Sequence, residues 1–213
     1  LFTRLAIDEQ TLADWATMAD QIFCPGENDE GLIEQFSGYF ERTNVLAKDF
    51  DPRTESIQSI LGIQGACDTQ ILKQPDVIML MYLLPELFEH ETIQANYDYY
   101  TPRTDLTFGS SLGPSIQAIM ATRLGSQADA YENFMRAARA DIEDVRGNAG
   151  DGIHGASAGG LWQAAVFGFG GLRVGEDRWY LQPHLPAHWK RLSYKFMWRG
   201  EEQVVDIRSE AQA

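Results

Sequence analysis

Three separated stretches of the chain carry side chains that can bind a substrate. The first is the glycine-rich run 147–163, in which Asp151 and His154 are the titratable residues. Small residues let a ligand approach the backbone closely, and an imidazole changes charge near neutral pH. The run therefore indicates a binding site. The alternative is that its small residues only let two helices pack closely; these are Gly155, Ala156, Ala158 and Gly159.

The second stretch, 69–85, places two polar side chains in front of a predicted helix. Pro75 suits the first turn of that helix and Asp76 its positive end, and the apolar residues that follow predict a helix to Leu84. Lys73 and Gln74 then lie at the mouth of the helix, where they can bond to sugar hydroxyls or an anion. The alternative is a surface lysine beside a helix cap.

The third stretch, 96–115, is an aromatic and polar loop that ends on Ser110 and Ser111. An amphipathic helix with Pro114 in its first turn is predicted to follow, with Leu112, Ile116, Ile119, Met120 and Leu124 on its apolar face. Free backbone N–H groups and hydroxyls at a helix N-terminus suit a phosphate. The two serines are equally consistent with ordinary helix caps.

Composition restricts the class of protein. The 213 residues are 44% hydrophobic, enough for a buried core, and carry a formal charge of −14, which disfavours nucleic acid. We find neither a signal peptide nor an apolar run of the roughly 18 residues needed to span a bilayer, so no membrane association is expected. Cys24 and Cys67 lack metal-ligand spacing, which predicts free thiols and a cytoplasmic location.

Further elements follow from hydrophobic spacing. Residues 11–23 predict a helix with one face in the core, and Ile57 to Leu61 predict a short helix ended by Gly62. A helix after Ser126 is predicted to bury large apolar side chains at three- and four-residue spacing. These are Tyr131, Phe134, Met135, Ala138, Ile142 and Val145.

The pattern changes at Leu172, where alternation around glycine-containing turns predicts two β-hairpins. We therefore place a domain boundary there, between 1–171 and 172–213. So few strands do not form a stable unit alone, and Leu1 is not a methionine, so we expect a piece of a longer protein.

Taken together, several motifs in order resemble glycoside hydrolase family 65, the disaccharide phosphorylases and related glucosidases. They are Lys73-Gln74-Pro75-Asp76-Val77, Tyr99-Tyr100, Arg103-Thr104, Ser110-Ser111-Leu112, Asp151-Gly152-Ile153-His154, Trp162-Gln163, 167–172 and Pro183-His184-Leu185-Pro186 followed by Trp189. The resemblance implies a mainly α fold: the later helices of an (α/α)6 barrel in 1–171, followed by the start of a C-terminal β-sheet domain.

The resemblance also implies a reaction. An α-glucosidic bond is cleaved with inversion: inorganic phosphate, the co-substrate, attacks the anomeric carbon, and a glutamic acid protonates the leaving oxygen. The products are β-glucose 1-phosphate and a free sugar. No cofactor or metal is implied, and relatives commonly form homodimers.

Roles carry over motif by motif. Ser110, Ser111 and His154 would hold phosphate, and Lys73 and Gln74 would line the neighbouring sugar and anion site. Trp162 and Gln163 are weaker candidates, and Trp162 is better explained by core packing.

Two departures from the family pattern stand out. The family's general acid lies in a Gly-Pro-Asp-Glu-Tyr-like context upstream of the Lys-Gln motif, and Glu27, Glu30 and Glu34 do not match it. We therefore expect the acid before Leu1 and no activity from the chain alone. Gly109 stands where many relatives have aspartate before the paired serines.

Two other functions stay open. A hydrolase of the same family would need a carboxylate base near the anomeric carbon, and the candidates are Asp105 and Asp151. A carbohydrate-binding module without catalysis is the second alternative, and the missing acid is its main support.

Overall fold

The computed structural model describes residues 5–209, which fold into seven α-helices, a π-helical turn and four β-strands. The helices are α1 (Glu9–Gln21), α2 (Ile57–Cys67), α3 (Asp76–Leu83), α4 (His90–Tyr100), α5 (Gly113–Arg123), α6 (Gln127–Ile142) and α7 (Gly155–Gln163), and the π-helical turn is Ala164–Phe169. The strands are β1 (Leu172–Val174), β2 (Trp179–Leu181), β3 (Arg191–Trp198) and β4 (Glu201–Arg208). The predicted order, helices followed by strands, is confirmed.

Helix α5 is the centre of the fold. It contacts α3, α6, α7 and the π-helical turn, and every residue from Gly113 to Thr122 is buried. The predicted amphipathic pattern is therefore wrong for this helix, because neighbours cover all of its faces. Its buried hydroxyls bond within the helix: Ser115 donates to Leu112 O at 2.8 Å and Thr122 to Ala118 O at 2.7 Å.

A glycine sets the distance between α5 and α7. A Cβ added at Gly160 would lie 2.0 Å from Ser115 Oγ, whereas Gly155 and Gly159 face open space. The glycine-rich run does let two helices pack closely. The residue that allows this is Gly160, whereas the sequence pattern suggests Gly155, Ala156, Ala158 and Gly159.

Helix α6 packs on α5 through small residues. Its buried positions are Ala130, Asn133, Ala137 and Ala140, because the approach to α5 leaves little room for larger side chains. The predicted buried face is wrong at its C-terminal end, where Ile142 is 84% exposed. Tyr131 and Phe134 lie at the edge of the core.

The strands form two antiparallel hairpins, β1 with β2 and β3 with β4, as predicted. Trp189, in the segment between them, connects them to the helices: its ring lies 5.0 Å from Phe169 and 5.5 Å from Phe134, centroid to centroid. Backbone bonds add to this contact, since His184 N–H donates to Phe169 O at 2.8 Å.

Helix α1 departs from the sequence prediction most clearly. None of its residues is buried, and Trp15 and Met18 are 51% and 62% exposed. Within residues 5–209 its apolar face is mostly exposed, so the prediction that it lies in a core is wrong for this part of the chain.

Smaller predictions fare better. Gly62 interrupts α2 with a φ of 71°, although the helix resumes after it. Cys24 and Cys67 are free and exposed. Within the described residues, no helix has both the length and the apolar character that crossing a membrane requires.

Candidate functional site

Two backbone segments, 70–74 and 103–110, run side by side and bring the Lys-Gln and paired-serine motifs together. Asp105 N–H donates to Leu72 O at 2.8 Å, and Ser110 N–H donates to Lys73 O at 3.2 Å. The side chains also join, because Gln74 Nε2 donates to Ser110 Oγ at 3.0 Å. Gln74 and Ser110, which are 36 positions apart in the sequence, are therefore held together beside the N-terminus of α3.

The buried Arg103 fixes this pairing of segments. Its guanidinium lies 3.7 Å from the ring centroid of Tyr99 and donates to Tyr99 O at 2.6 Å, while its Nε donates to Gln70 Oε1 at 3.2 Å. A guanidinium stacked on an aromatic ring and bonded to carbonyls is rigid. Within residues 5–209, the Tyr-Tyr and Arg-Thr motifs therefore act as scaffold beneath the site.

Asp105 is also part of the scaffold. Its carboxylate pairs with Arg53 at 2.8 Å and accepts from Ile57 N–H at 3.1 Å and Phe108 N–H at 3.0 Å. Burial alone favours the neutral acid, but these hydrogen bonds outweigh it and lower the pKa of Asp105. The carboxylate anchors the start of α2 and stays ionised.

A carboxylate that the sequence analysis missed positions His154. Asp141, in the last turn of α6, accepts a 2.8 Å hydrogen bond from His154 N–H through one oxygen and contacts His154 Nδ1 through the other. The side-chain and backbone bonds from His154 lower the pKa of Asp141. An ionised carboxylate only accepts hydrogen bonds, so Nδ1 carries a proton and Nε2 is left available to a ligand.

The motifs converge on one open cleft of about 640 Å³. All five residues predicted to bind phosphate or substrate line it, namely Lys73, Gln74, Ser110, Ser111 and His154. The other lining residues include Glu55, Ser56 and Ser59 from the start of α2, together with Arg146 and Asn148 beside the glycine-rich run. Two cationic side chains, several hydroxyls, two amides and an imidazole around one hollow make a site suited to an oxyanion.

Three other sequence candidates lie outside this cleft. Trp162 does not line it and is 51% exposed, so core packing does not explain this residue either. Gln163 accepts a hydrogen bond from Tyr82 OH at 3.2 Å. Asp151 is exposed and is not among the residues around the cleft.

Two further residues that line the cleft, Arg146 and Glu55, were not predicted from the sequence. Arg146 directly precedes the glycine-rich run, and Glu55 follows a turn that carried no motif. The only sequence signal for either was proximity to a recognised stretch. Asp141, 13 residues before His154, gave no sequence signal because its partner is set by how α6 ends.

Gly109 has a steric reason to be glycine. A Cβ at this position would lie 2.2 Å from Asp105 O, and its N–H donates to the same oxygen at 3.0 Å. The aspartate that the family pattern favours does not fit this backbone without a shift in the 105–109 turn.

Comparison with known proteins decides the family. The model of the glycosyl hydrolase family 65 central catalytic domain matches residues 2–163, and that of the family's C-terminal domain matches residues 172–212. The chain belongs to glycosyl hydrolase family 65.

Family 65 proteins of known name extend the comparison. The chain is 41% identical to a kojibiose phosphorylase of Caldanaerobacter subterraneus, covering 97% of this chain and 27% of that protein. It is 33% identical to an alpha,alpha-trehalose phosphorylase of Thermoanaerobacter brockii, covering 98% of this chain and 27% of that protein. The chain thus spans about a quarter of the length of these family 65 relatives.

A solved structure shares the fold. It is provisionally described as a kojibiose phosphorylase from the human microbiome, and it superimposes with a TM-score of 0.84 at 31% identity. The match covers 97% of this chain and 28% of that one. The fold class predicted for this family 65 chain is confirmed.

Proposed function

We propose that this chain supplies the phosphate-binding part of an inverting α-glucoside phosphorylase, which converts a glucose disaccharide and inorganic phosphate to β-glucose 1-phosphate and a free sugar. The observation that carries the proposal is the convergence of Ser110, Ser111, His154, Lys73 and Gln74 on one cleft. The names of the family 65 relatives support the same reaction.

A cleft of this kind is enough to activate phosphate as the nucleophile. A hydrolase must deprotonate water with a carboxylate base, whereas phosphate is already an anion and needs only to be held and aimed. Hydroxyls of Ser110 and Ser111 donate to phosphate oxygens, and Lys73 contributes a positive charge. Gln74, bonded to Ser110 Oγ, fixes the orientation of that hydroxyl.

His154 has two ways to contact phosphate. With Nδ1 bound to Asp141, the neutral imidazole accepts a P–OH hydrogen bond at Nε2, and the imidazolium donates one to a phosphate oxygen. The proton for the leaving sugar oxygen is assigned to no residue of this chain. In our proposal it comes from the glutamic acid that the resemblance implies.

The positions of the two candidate bases, Asp105 and Asp151, argue against the hydrolase alternative. Asp105 is held by Arg53 and two backbone N–H groups, and Asp151 does not line the cleft. Glu55 is the one carboxylate among the described lining residues, and it is exposed. A hydrolase would have to use Glu55 as its base, so Glu55→Gln distinguishes hydrolysis from phosphorolysis.

Four accompanying proposals follow, of which the first three concern the whole protein. Kojibiose is the first substrate to assay, since several relatives carry that name. Phosphate is the co-substrate, with no resident cofactor, and a cytoplasmic homodimer is the proposed form. A domain boundary between 171 and 172 is supported by the start of β1 and of the second family match at Leu172.

One assay tests the function. The full-length protein that contains this chain is incubated with kojibiose, nigerose or trehalose, with and without inorganic phosphate, and products are separated by anion-exchange chromatography. We expect β-glucose 1-phosphate to form only with phosphate. Equal release of free glucose with and without phosphate would refute phosphorolysis in favour of hydrolysis.

A further inference from the structure

We propose that Arg146 is a further anion-binding residue of the cleft, and that its guanidinium binds phosphate beside His154. This inference rests on the proposed function and deepens it. Arg146 lines the same cleft as Ser110, Ser111 and His154.

The backbone holds Arg146 in place. Helix α6 ends at Ile142; beyond its cap, Asp144 has a φ of 45° and Val145 N–H donates back to Ala140 O at 3.2 Å, a common helix C-terminal arrangement. The Asp144 carboxylate then accepts from Ala149 N–H at 2.8 Å. Hydrogen bonds therefore hold the backbone on both sides of Arg146.

The charge of Arg146 has no ion-pair partner among the residues that the structure describes. Its Nε is buried and has no hydrogen-bond partner among residues 5–209. The carboxylates whose charges act on it are Asp105 and Asp141, but Asp105 pairs with Arg53 and Asp141 with His154.

Leaving a guanidinium nitrogen buried and unpaired is costly. Burial lowers the pKa of Arg146, yet the side chain stays cationic at neutral pH because arginine is not deprotonated in proteins. In this proposal an oxyanion in the cleft binds the terminal nitrogens of the guanidinium, over which the same positive charge is spread. The site so defined takes a tetrahedral oxyanion carrying at least one full negative charge.

Arginine brings geometry as well as charge. Its planar fork binds two oxygens of one phosphate, whereas Lys73 acts as a point charge on a flexible stem. Arg146 is thus suited to fix the orientation of the attacking phosphate, with Lys73 adding charge from the opposite motif.

The experiment measures phosphate and disaccharide separately. Inorganic phosphate is titrated calorimetrically into the full-length protein, and steady-state kinetics give one KM for phosphate and another for kojibiose. We expect Arg146→Gln to weaken phosphate binding and raise its KM by about tenfold to a hundredfold, the effect of losing a charged hydrogen bond. Arg146→Lys should fall between, and the KM for kojibiose should change little.

The matched control is Arg139→Gln. Arg139 lies on α6, the helix that precedes Arg146, pairs with Glu143 at 3.4 Å and does not line the cleft, so its loss should leave both KM values unchanged. Melting curves check that each variant folds, and Arg146→Lys keeps the test open if Arg146→Gln does not.

Each outcome decides the matter. Wild-type-like phosphate affinity in Arg146→Gln overturns the inference, as does an equal rise in both KM values, which marks a structural role. Absence of phosphate binding by the wild-type protein overturns it too. Phosphate binding that depends on Arg146 in a protein without phosphorolysis upholds the inference while the proposed function fails.

Discussion

Asp141 and His154 are joined at two points, through the backbone N–H and through Nδ1 of the histidine. The helix that ends at Ile142 and the helix that begins at Gly155 are thereby connected across the loop between them. The imidazole is held at one edge, and its other nitrogen is left for the cleft. This pair is the part of the site that most depends on tertiary structure.

Replacing Asp141 tests that connection. Hydrogen bonds from His154 lower the pKa of Asp141 in the folded protein. The ionised Asp141 carboxylate therefore stabilises the fold above the ordinary carboxyl pKa of about 3.9, and this stabilisation is lost as pH falls through the lowered pKa of the folded state. We expect Asp141→Asn to melt below the wild type at pH 7, and the two melting temperatures to converge as pH approaches 3. A constant difference from pH 7 to 3 contradicts this.

Removing the phosphate donors tests the site chemistry. In the full-length protein, His154→Ala and Ser111→Ala should each lower kcat/KM for phosphorolysis by about tenfold or more, because each removes a hydrogen bond to an anion. Circular dichroism should show an unchanged fold. Ser59, which is exposed and whose hydroxyl contacts Ser56 Oγ, provides the control Ser59→Ala, which should retain activity. Undiminished phosphorolysis in His154→Ala and Ser111→Ala would show that these two side chains do not bind phosphate.

The buried pair of Asp105 and Arg53 should matter for stability. Asp105→Asn removes one of the two carboxylates that pair with the buried Arg53, the other being Asp51, and gives the N–H groups of Ile57 and Phe108 a weaker acceptor, so we expect a loss of about 1 to 3 kcal/mol. Chemical denaturation measures the loss. If Asp105→Asn is as stable as the wild type but loses hydrolysis of a glucoside, Asp105 is a catalytic base and the scaffold role is wrong.

Two neighbouring glycines should respond oppositely to alanine. Gly160→Ala places a methyl group against Ser115 and should destabilise the protein by about 1 to 3 kcal/mol, the usual cost of overpacking. Gly159→Ala, with open space around it, should be neutral or gain up to about 1 kcal/mol of helix propensity. Comparison of their urea midpoints checks both, and equal effects would show that α5 and α7 do not pack as described.

Sequence reasoning located the motifs well because each lies next to a strong local signal. Pro75 and Asp76 mark the start of α3, and Pro114 marks that of α5, so the residues in front of them could be placed at helix mouths. The β-hairpins carried alternating residues and glycine turns. In each case neighbours along the chain determine the structure.

The features that the sequence did not predict share one cause: each depends on contacts between segments that are distant along the chain. The burial of α5 on all sides, the use of Gly160 rather than Gly155 as the packing glycine, and the pairing of Asp141 with His154 all follow from how helices meet. Hydrophobic periodicity likewise predicted a core for α1, but periodicity does not specify the partner that would cover it.

The most direct test of the central claim is calorimetric titration of inorganic phosphate into the full-length protein and its variants. We predict saturable binding by the wild type, binding weakened about tenfold or more in His154→Ala and Ser111→Ala, and no weakening in Glu55→Gln, which removes the one negative side chain among the described lining residues. Undetectable binding by the wild type, or equal affinity in all four proteins, would contradict the account.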